Sequence, residues 1–182
     1  FGVVVATLAG HRLVLGQDHH VAIGVGALQF QAAAAVSRLG GLGCGGYPTK
    51  GREAAKESLS DLKKAVSGAD MVFVLAGLGG GTGTGAAPVV AQLAKESGAV
   101  VIAVVTMPFE CEKARHEKAE FGLQELTEVV DTAIIIDNNR LVDIAGNLPM
   151  EQAFAVANEL VSTMIKGIVE TITLPSLINL DY

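Results

Sequence analysis

The sequence predicts a three-layer, Rossmann-like α/β fold, in which a mostly parallel sheet carries helices on both faces. From Thr49 onward, segments with apolar residues at helical spacing alternate with short apolar runs. The run at residues 100–105 is entirely apolar and largely β-branched, as in a strand that is covered on both faces. Alternating strands and helices build a parallel sheet, and its ligand lies at the carboxyl ends of the strands.

Each element has its own signal in the sequence. One helix is predicted over residues 52–66, which end before Gly68, and a buried strand over residues 71–75. The next helix is predicted from residue 86 to Ser97, with Pro88 inside its first turn, where proline is tolerated. Strands at 100–105 and 132–136 flank a helix at 113–130. The last helix is predicted from about Met150 to Thr173, with a core-facing stripe of Phe154, Ala157, Val161, Met164, Ile168 and Ile172.

Composition narrows the class of protein. The 182 residues fit one domain, and half of them are hydrophobic with no Trp, so an aliphatic core is expected. The net charge of −6 argues against nucleic acid or an anionic membrane surface as a partner. No apolar run is long enough to span a membrane, which predicts a soluble protein. Cys44 and Cys111 have no metal-ligand spacing and are expected to be free thiols in a reducing cytosol.

A glycine-threonine heptapeptide stands between the strand at 71–75 and the helix that follows it. Glycines let a backbone approach an anion closely, and the free N–H groups and dipole of a helix start favour phosphate. The simpler alternative, a flexible linker, does not explain why the segment lies between a strand and a helix. The heptapeptide therefore predicts a phosphate-binding loop, formed by Gly79, Gly80, Gly81, Thr82, Gly83, Thr84 and Gly85.

Two better-known types of phosphate-binding loop do not match this sequence. A P-loop needs Lys-Ser or Lys-Thr after its glycines, and this sequence has neither pair there. The dinucleotide pattern G-x-G-x-x-G matches formally at residues 41–46, but no convincing strand precedes it and Tyr47-Pro48 follows it. The acidic residue about 20 positions on, Asp61, is predicted within a helix rather than at a strand end.

Residues 79–85 are the signature of the tubulin/FtsZ GTPase superfamily, which this sequence resembles over about residues 38–182. The segment GLGCGGYP at 41–48 looks like the FtsZ loop that approaches the terminal phosphate. DTAIIIDNNRL at 131–141 and GIVETITLPSLINLDY at 167–182 are also similar to FtsZ segments. Three short motifs are similar to those of the archaeal branch of the family: Gly-Tyr-Pro, Asp-Asn-Asn-Arg and Asn-Leu-Pro.

The resemblance implies a nucleotide-binding domain for GTP or GDP with Mg²⁺. The heptapeptide would hold the α- and β-phosphates, and the γ-phosphate would meet the second loop, Gly43, Cys44, Gly45 and Gly46. Glu112 and Arg115 would contact the ribose, although the family places its Arg where this chain has His116. Asn138 and Asn158 would read guanine. No metal site is expected from the protein's own His, Asp and Glu residues.

The resemblance further implies that Asn179 and Asp181 act as catalytic residues on the nucleotide of a neighbouring subunit. From Asn158 to Leu174 a helix would span about 24 Å, so Asp181 could not reach its own nucleotide. Hydrolysis would then require head-to-tail association, which yields filaments. The implied role is a cytoplasmic cell-division protein at midcell that contacts other division proteins through regions outside this sequence.

Residues 1–37 diverge from the family. Residues 21–26 and 36–39 faintly resemble its first strand, phosphate loop and following helix. Glycines and an Asn are usual in that loop, and this chain has Ala27-Leu28-Gln29-Phe30-Gln31 in their place. The family's motif and a C-terminal domain would continue past Tyr182. We therefore expect residues 1–182 to form an incomplete GTP-binding domain, with a divergent or shortened first strand and phosphate-loop region.

Two other functions remain open from the sequence. The first is a non-catalytic fragment that binds nucleotide and caps filaments without hydrolysing GTP. The second is a Rossmann-type oxidoreductase that uses residues 41–46, and the missing ribose-reading acid counts against it. Binding of GTP without turnover would distinguish the first alternative, and binding of a pyridine nucleotide the second.

Overall fold

The computed structural model describes residues 3–9, 12–14, 31–32, 43–140 and 150–173. The segments at 21–26 and 36–39 that resemble the family's first strand and helix lie outside the described residues. The strands are β1 (Val3–Ala9), β2 (Arg12–Val14), β3 (Gln31–Ala32), β4 (Met71–Gly77), β5 (Val100–Met107) and β6 (Thr132–Asp137). The helices are α1 (Pro48–Glu57), α2 (Leu59–Val66), α3 (Thr82–Glu96), α4 (Lys113–Thr127) and α5 (Met150–Thr173).

The predicted parallel sheet is present as β4, β5 and β6. Met71 pairs with Val100 and Gly77 with Thr106, while Ile102 pairs with Thr132 and Met107 with Asp137. β4 and β5 each extend two residues beyond the apolar run that was predicted as a strand. All three strands therefore end at one edge of the sheet, where the parallel connections place a ligand.

The other part of the sheet is antiparallel, which the sequence did not predict. β1 pairs with β4 from Val3 opposite Ala76 to Leu8 opposite Met71, and it also pairs with β2 and β3. The sheet order is β2-β1-β4-β5-β6, with β3 beside β1. The carboxyl end of β1 consequently lies at the edge opposite the ends of β4, β5 and β6.

One face of the sheet is covered by α1, α2, α3 and α4. The core on this face is mostly Ala and Val, with Val74, Val90, Ala91 and Val105 fully buried. The helix predicted over residues 52–66 is wrong as a single element, because Ser58 separates α1 from α2 with φ −95° and ψ 16°. The apolar residues of both pieces pack in the same core, against α3, so periodicity alone does not reveal the break.

The predicted start of the helix after β4 is also wrong. α3 begins at Thr82, inside the heptapeptide, so Pro88 lies in the second turn rather than the first. Proline in that position removes one backbone N–H from the helix. Close packing against α1, described below, compensates for the poor helix propensity of the glycines in the first turn.

The opposite face of the sheet is covered by α5, which confirms the predicted three layers. Ile165 is fully buried and packs with Met71 and Phe73. Val161, Met164 and Ile168 of the predicted stripe contact the sheet, whereas the side chains of Phe154, Ala157 and Ile172 lie outside the described ones. Among the described residues, no helix is both long and apolar enough to cross a membrane.

Candidate functional site

The candidate site lies where β4, β5 and β6 end. The heptapeptide loop follows β4, the segment at 108–112 follows β5, and residues 138–140 follow β6. The parallel register brings these three connections to one edge. The predicted residues of the heptapeptide, Glu112, Arg115 and Asn138 therefore share one edge of the sheet.

The heptapeptide forms a tight turn that enters α3. Gly79 has φ +93°, a conformation that favours glycine, and its N–H donates to Thr84 Oγ1 at 2.9 Å. Leu78 N–H donates to Thr106 O at 3.0 Å, which fixes the turn to β5. The backbone N–H groups of residues 80–83 donate to no acceptor among the described residues. Four consecutive free donors at a helix start form a binding site for an anion such as phosphate.

The second loop packs directly on the first. Cys44 is buried beside Gly81, and Thr82 Oγ1 donates to Cys44 Sγ at 3.3 Å. Tyr47 N–H donates to Cys44 O at 3.1 Å and closes a turn in which Gly45 and Gly46 have φ of +58° and +78°. The structure thus brings together two glycine loops that are 36 positions apart in the sequence, counted from residue 43 to residue 79.

The two loops can pack this closely because glycine has no Cβ atom. A Cβ on Gly81 would come within 2.6 Å of Cys44 Cβ and 2.8 Å of Tyr47 N. A Cβ on Gly83 would overlap Gly77 O, and one on Gly85 would overlap Pro48 O. Three glycines of the heptapeptide therefore bring the backbones of β4, α1 and the Tyr47 turn together, in addition to any contact with a ligand.

Glu112 and Arg115 lie at the start of α4. Glu112 is the N-cap residue, and Arg115 Nη1 donates to its Oε1 at 3.2 Å. A Cβ on Gly79 would come within 2.9 Å of Arg115 O, so this turn of α4 abuts the heptapeptide. The Arg115 side chain is 60% exposed, which leaves its guanidinium accessible to a ligand.

Asn138 follows the last residue of β6 and is half-buried. Its neighbour Asn139 is held firmly, because Asn139 Nδ2 donates to Asp137 Oδ1 at 2.8 Å and Glu110 N–H donates to Asn139 Oδ1 at 3.1 Å. Asn139 thus connects the end of β6 to the segment after β5. The Asn138 side chain makes no hydrogen bond to the described residues and remains available.

Asn158 lies in α5, and its side chain is outside the described ones. The direction of α5 follows from its contacts. Met164 packs only in the cluster with Val104 and Ile136, late in their strands, and Val161 contacts this cluster too. Val169 packs only in the cluster with Met71, at the start of β4. Asn158, three residues before Val161, is therefore at the end of α5 nearer the candidate site. Asn179 and Asp181 lie outside the described residues.

Two residues with a structural role at the site were missed by the sequence analysis. Asn139 could have been suspected from the run of Asp and Asn after a strand. Lys118 could not, because it donates to Gly46 O at 2.8 Å across 72 positions of sequence. No periodicity or local motif reports such a contact.

Comparison with known proteins finds a family model and relatives that match most of the chain, including the residues of this site. The sequence model of the Tubulin/FtsZ family, GTPase domain, matches residues 27–146. The chain is 57% identical to Cell division protein FtsZ 2 of Methanocaldococcus jannaschii over 142 residues, 78% of this chain and 37% of that protein. It is 58% identical to Cell division protein FtsZ 1 of Archaeoglobus fulgidus over 146 residues, 80% of this chain and 40% of that protein.

Solved structures agree with these matches. An empty FtsZ dimer of M. jannaschii superposes with a TM-score of 0.73 and 48% identity, covering 82% of this chain and 43% of that one. CetZ1 of Haloferax volcanii, a GDP-bound monomer, superposes with a TM-score of 0.65 and 26% identity, covering 75% of this chain. The chain spans about two fifths of the length of the curated relatives named above.

Proposed function

The chain belongs to the Tubulin/FtsZ family, and on that premise we propose that it is the GTP-binding part of a GTP-hydrolysing, filament-forming cell-division protein. The observation that carries the proposal is the contact between two glycine loops beside four consecutive free backbone donors. That arrangement suits a chain of phosphates better than it suits any uncharged ligand. The GTPase-domain match favours a hydrolysing protein over a capping fragment.

In this proposal the heptapeptide binds the α- and β-phosphates through the N–H groups of residues 80–83 and the hydroxyl of Thr82. The N–H groups of Gly45 and Gly46, which donate to no described residue, face the γ-phosphate. Backbone donors hold phosphate without lysines, which is consistent with the net charge of −6. Their positions are fixed before the ligand arrives, so little ordering accompanies binding.

The base and ribose would lie along the same edge of the sheet. Asn138, with its side chain available, reads the guanine edge, and Asn158 meets the base from α5. An Asn offers one oxygen to guanine N1 and N2 where a carboxylate would offer two, so selectivity for guanine is moderate. Glu112 and Arg115 contact the ribose, and the ion pair between them orients both side chains.

Mg²⁺ would accompany the nucleotide. The described residues contain no group of three or more His, Cys, Asp or Glu side chains that could hold a metal. Phosphate oxygens and water therefore supply most of its ligands, as is usual for Mg²⁺ in nucleotide sites. When bound, the ion neutralises charge that develops on the phosphates during transfer.

Hydrolysis would require a second copy of the chain. α5 leads from the Asn158 end at the site toward the opposite edge of the sheet. Asn179 and Asp181 follow α5 in the sequence, and we propose that they act on a neighbouring subunit rather than on the chain's own nucleotide. In a head-to-tail arrangement these two residues meet the γ-phosphate of the next subunit and orient the attacking water. A contact of this kind does not close on itself and produces filaments. We place the protein at midcell in the cytoplasm, with other division proteins as partners.

Calorimetric titration with GTP, GDP and ATP tests the nucleotide assignment. We expect both guanine nucleotides to bind more tightly than ATP. Thr82→Val should weaken GTP binding several-fold, while Thr127→Val, at the exposed end of α4, should leave it unchanged. Equal affinity for GTP and ATP would contradict the guanine contacts, and no nucleotide binding at all would contradict the proposal.

A further inference from the structure

The loop at 43–46 has little intrinsic rigidity. Three of its four residues are glycines, and a Cβ at Gly43 would meet nothing within 4 Å, so no close packing restrains that position. Glycine also gives the backbone more conformations to lose on ordering than any other residue. A loop of this composition needs contacts from elsewhere in the fold to hold one conformation.

Two described contacts supply that restraint. On one side, Cys44 is buried against Gly81 and accepts a hydrogen bond from Thr82. On the other side, Lys118 Nζ of α4 donates to Gly46 O at 2.8 Å. Because the donor is a charged ammonium, this hydrogen bond is stronger than one between neutral groups.

The peptide between Gly46 and Tyr47 is consequently held at both ends. Its carbonyl oxygen accepts from Lys118, and its N–H donates to Cys44 O at 3.1 Å. A peptide unit is planar and rigid, so fixing its two polar atoms fixes its orientation. The orientation of the neighbouring Gly45-Gly46 peptide then depends only on the dihedral angles of Gly46.

The Tyr47 ring forms part of the same arrangement. Lys118 Nζ lies 5.9 Å from the ring centroid and Lys50 Nζ lies 5.2 Å from it, both within the range of a cation–π interaction. Only Lys118 also donates a hydrogen bond to the loop. The two lysines therefore form a natural pair for comparison, since they share the aromatic contact and differ in the bond to Gly46 O.

We infer that Lys118 is a positioning residue for the γ-phosphate: it holds the Gly46 carbonyl toward α4 and so keeps the N–H groups of Gly45 and Gly46 in place for the terminal phosphate. The inference rests on the proposed function and adds to it a residue outside every glycine motif. It also makes the γ-phosphate contact depend on α4, the helix whose first turn carries Glu112 and Arg115. Ribose contacts and the γ-phosphate loop are thus connected through one helix.

The test compares Lys118→Met, Lys118→Arg and Lys50→Met for binding of GDP and of a GTP analogue with a methylene bridge between the β- and γ-phosphates. Lys118→Met should bind the analogue about tenfold more weakly, because part of the binding free energy is then spent on ordering the loop. Its affinity for GDP should be unchanged, because GDP has no γ-phosphate. Lys118→Arg should restore most of the loss, and Lys50→Met should behave as wild type.

Tyrosine fluorescence gives a second readout. The sequence has no Trp and only two Tyr, so in a Tyr182→Phe background Tyr47 is the sole emitter. The emission should change more on binding of the GTP analogue in Lys118→Met than in the wild type, because the loop of the variant becomes ordered only when the γ-phosphate binds. GDP should produce no such difference, and thermal unfolding without nucleotide should show that the variant is folded. An unaltered ratio of analogue to GDP affinity in Lys118→Met would overturn the inference. Failure of the wild type to bind either nucleotide would instead overturn the proposed function.

Discussion

The backbone N–H of Gly79 donates to the side-chain oxygen of Thr84 at 2.9 Å, in the interior of the protein. Thr84 is 1% exposed, and its hydroxyl oxygen accepts this bond within the loop. The bond joins the left-handed residue at the start of the heptapeptide to the first turn of α3 and closes the loop on itself. The second threonine of the signature is therefore structural, while Thr82 is half-buried and bonds to Cys44.

Thr84→Val should destabilise the protein by about 1–3 kcal/mol, because a buried N–H loses its acceptor. Urea denaturation measures the change. Thr84→Ser is the matched control: it keeps the oxygen and loses only the methyl group beside Gly122, at a cost of about 1 kcal/mol. If Thr84→Val were as stable as Thr84→Ser, the hydrogen bond would not be what stabilises the loop.

Gly85→Ala should destabilise the protein by about 1–3 kcal/mol, despite the better helix propensity of alanine. A Cβ at this position would overlap Pro48 O and come within 2.8 Å of Arg52 N, and both are backbone atoms that cannot rotate away. Gly80→Ala is the control, since a Cβ there meets nothing within 4 Å. Denaturation curves that coincide for the two variants would contradict the close packing of α1 on α3.

The elements that could be predicted are those that local sequence determines. β4 and β5 are continuous apolar runs, and only their last two residues were missed, because Gly77 and Thr106 do not continue the apolar pattern. The start of α3 was misplaced because glycines are poor helix formers, and only the contact with α1 shows why they are required. The antiparallel pairing of β1 with β4 joins residues about 70 positions apart, and no local signal predicts it.

The residues of the site also divide into those that a local motif reveals and those that only packing brings together. The glycine loops carry a motif, so they could be found, and the resemblance to the tubulin/FtsZ superfamily implied that both contact the same nucleotide. The bond from Lys118 to Gly46 and the one from Glu110 to Asn139 depend on how α4 and β6 lie in space. The sequence predicts which residues approach a phosphate, and packing decides what holds them there.

Asp131 should stabilise the protein at neutral pH and not in acid. Hydrogen bonds from the Lys95 side chain and from the Val101 N–H, the latter at 2.9 Å, hold the pKa of Asp131 below its ordinary value of 3.8. A lowered folded-state pKa means that the stabilisation is fully present above the unfolded value and is lost as the pH falls through the folded one. Asp131→Asn should therefore cost about 1 kcal/mol or less at pH 7, since the pair is partly exposed.

The control is Asp61→Asn, in which the lost partner is an exposed lysine at 3.4 Å in the same helix. It should change the free energy of unfolding by less than Asp131→Asn does. Urea denaturation across a pH series measures both. A difference between wild type and Asp131→Asn that stays constant as the pH falls below the ordinary carboxyl range would show that charge is not the cause.

Turnover of GTP should depend on a contact between two copies of the chain, and mixing two inactive variants should restore it. From Asn158 to Thr173, α5 spans about 23 Å away from the site, so a catalytic Asp181 would serve the next subunit. Asp181→Ala binds GTP but offers no carboxylate. Gly80→Asp has room for its side chain and repels phosphate, so it offers Asp181 but holds no GTP.

Either variant alone should release little phosphate, whereas an equimolar mixture should recover about a quarter of the wild-type rate, because one in four head-to-tail contacts pairs GTP with an intact Asp181. The rate of the mixture should also rise more steeply than linearly with protein concentration. Phosphate release measures both effects, and circular dichroism verifies that each variant is folded. A mixture that only adds the two separate rates, with turnover linear in concentration, would place the chemistry within one subunit.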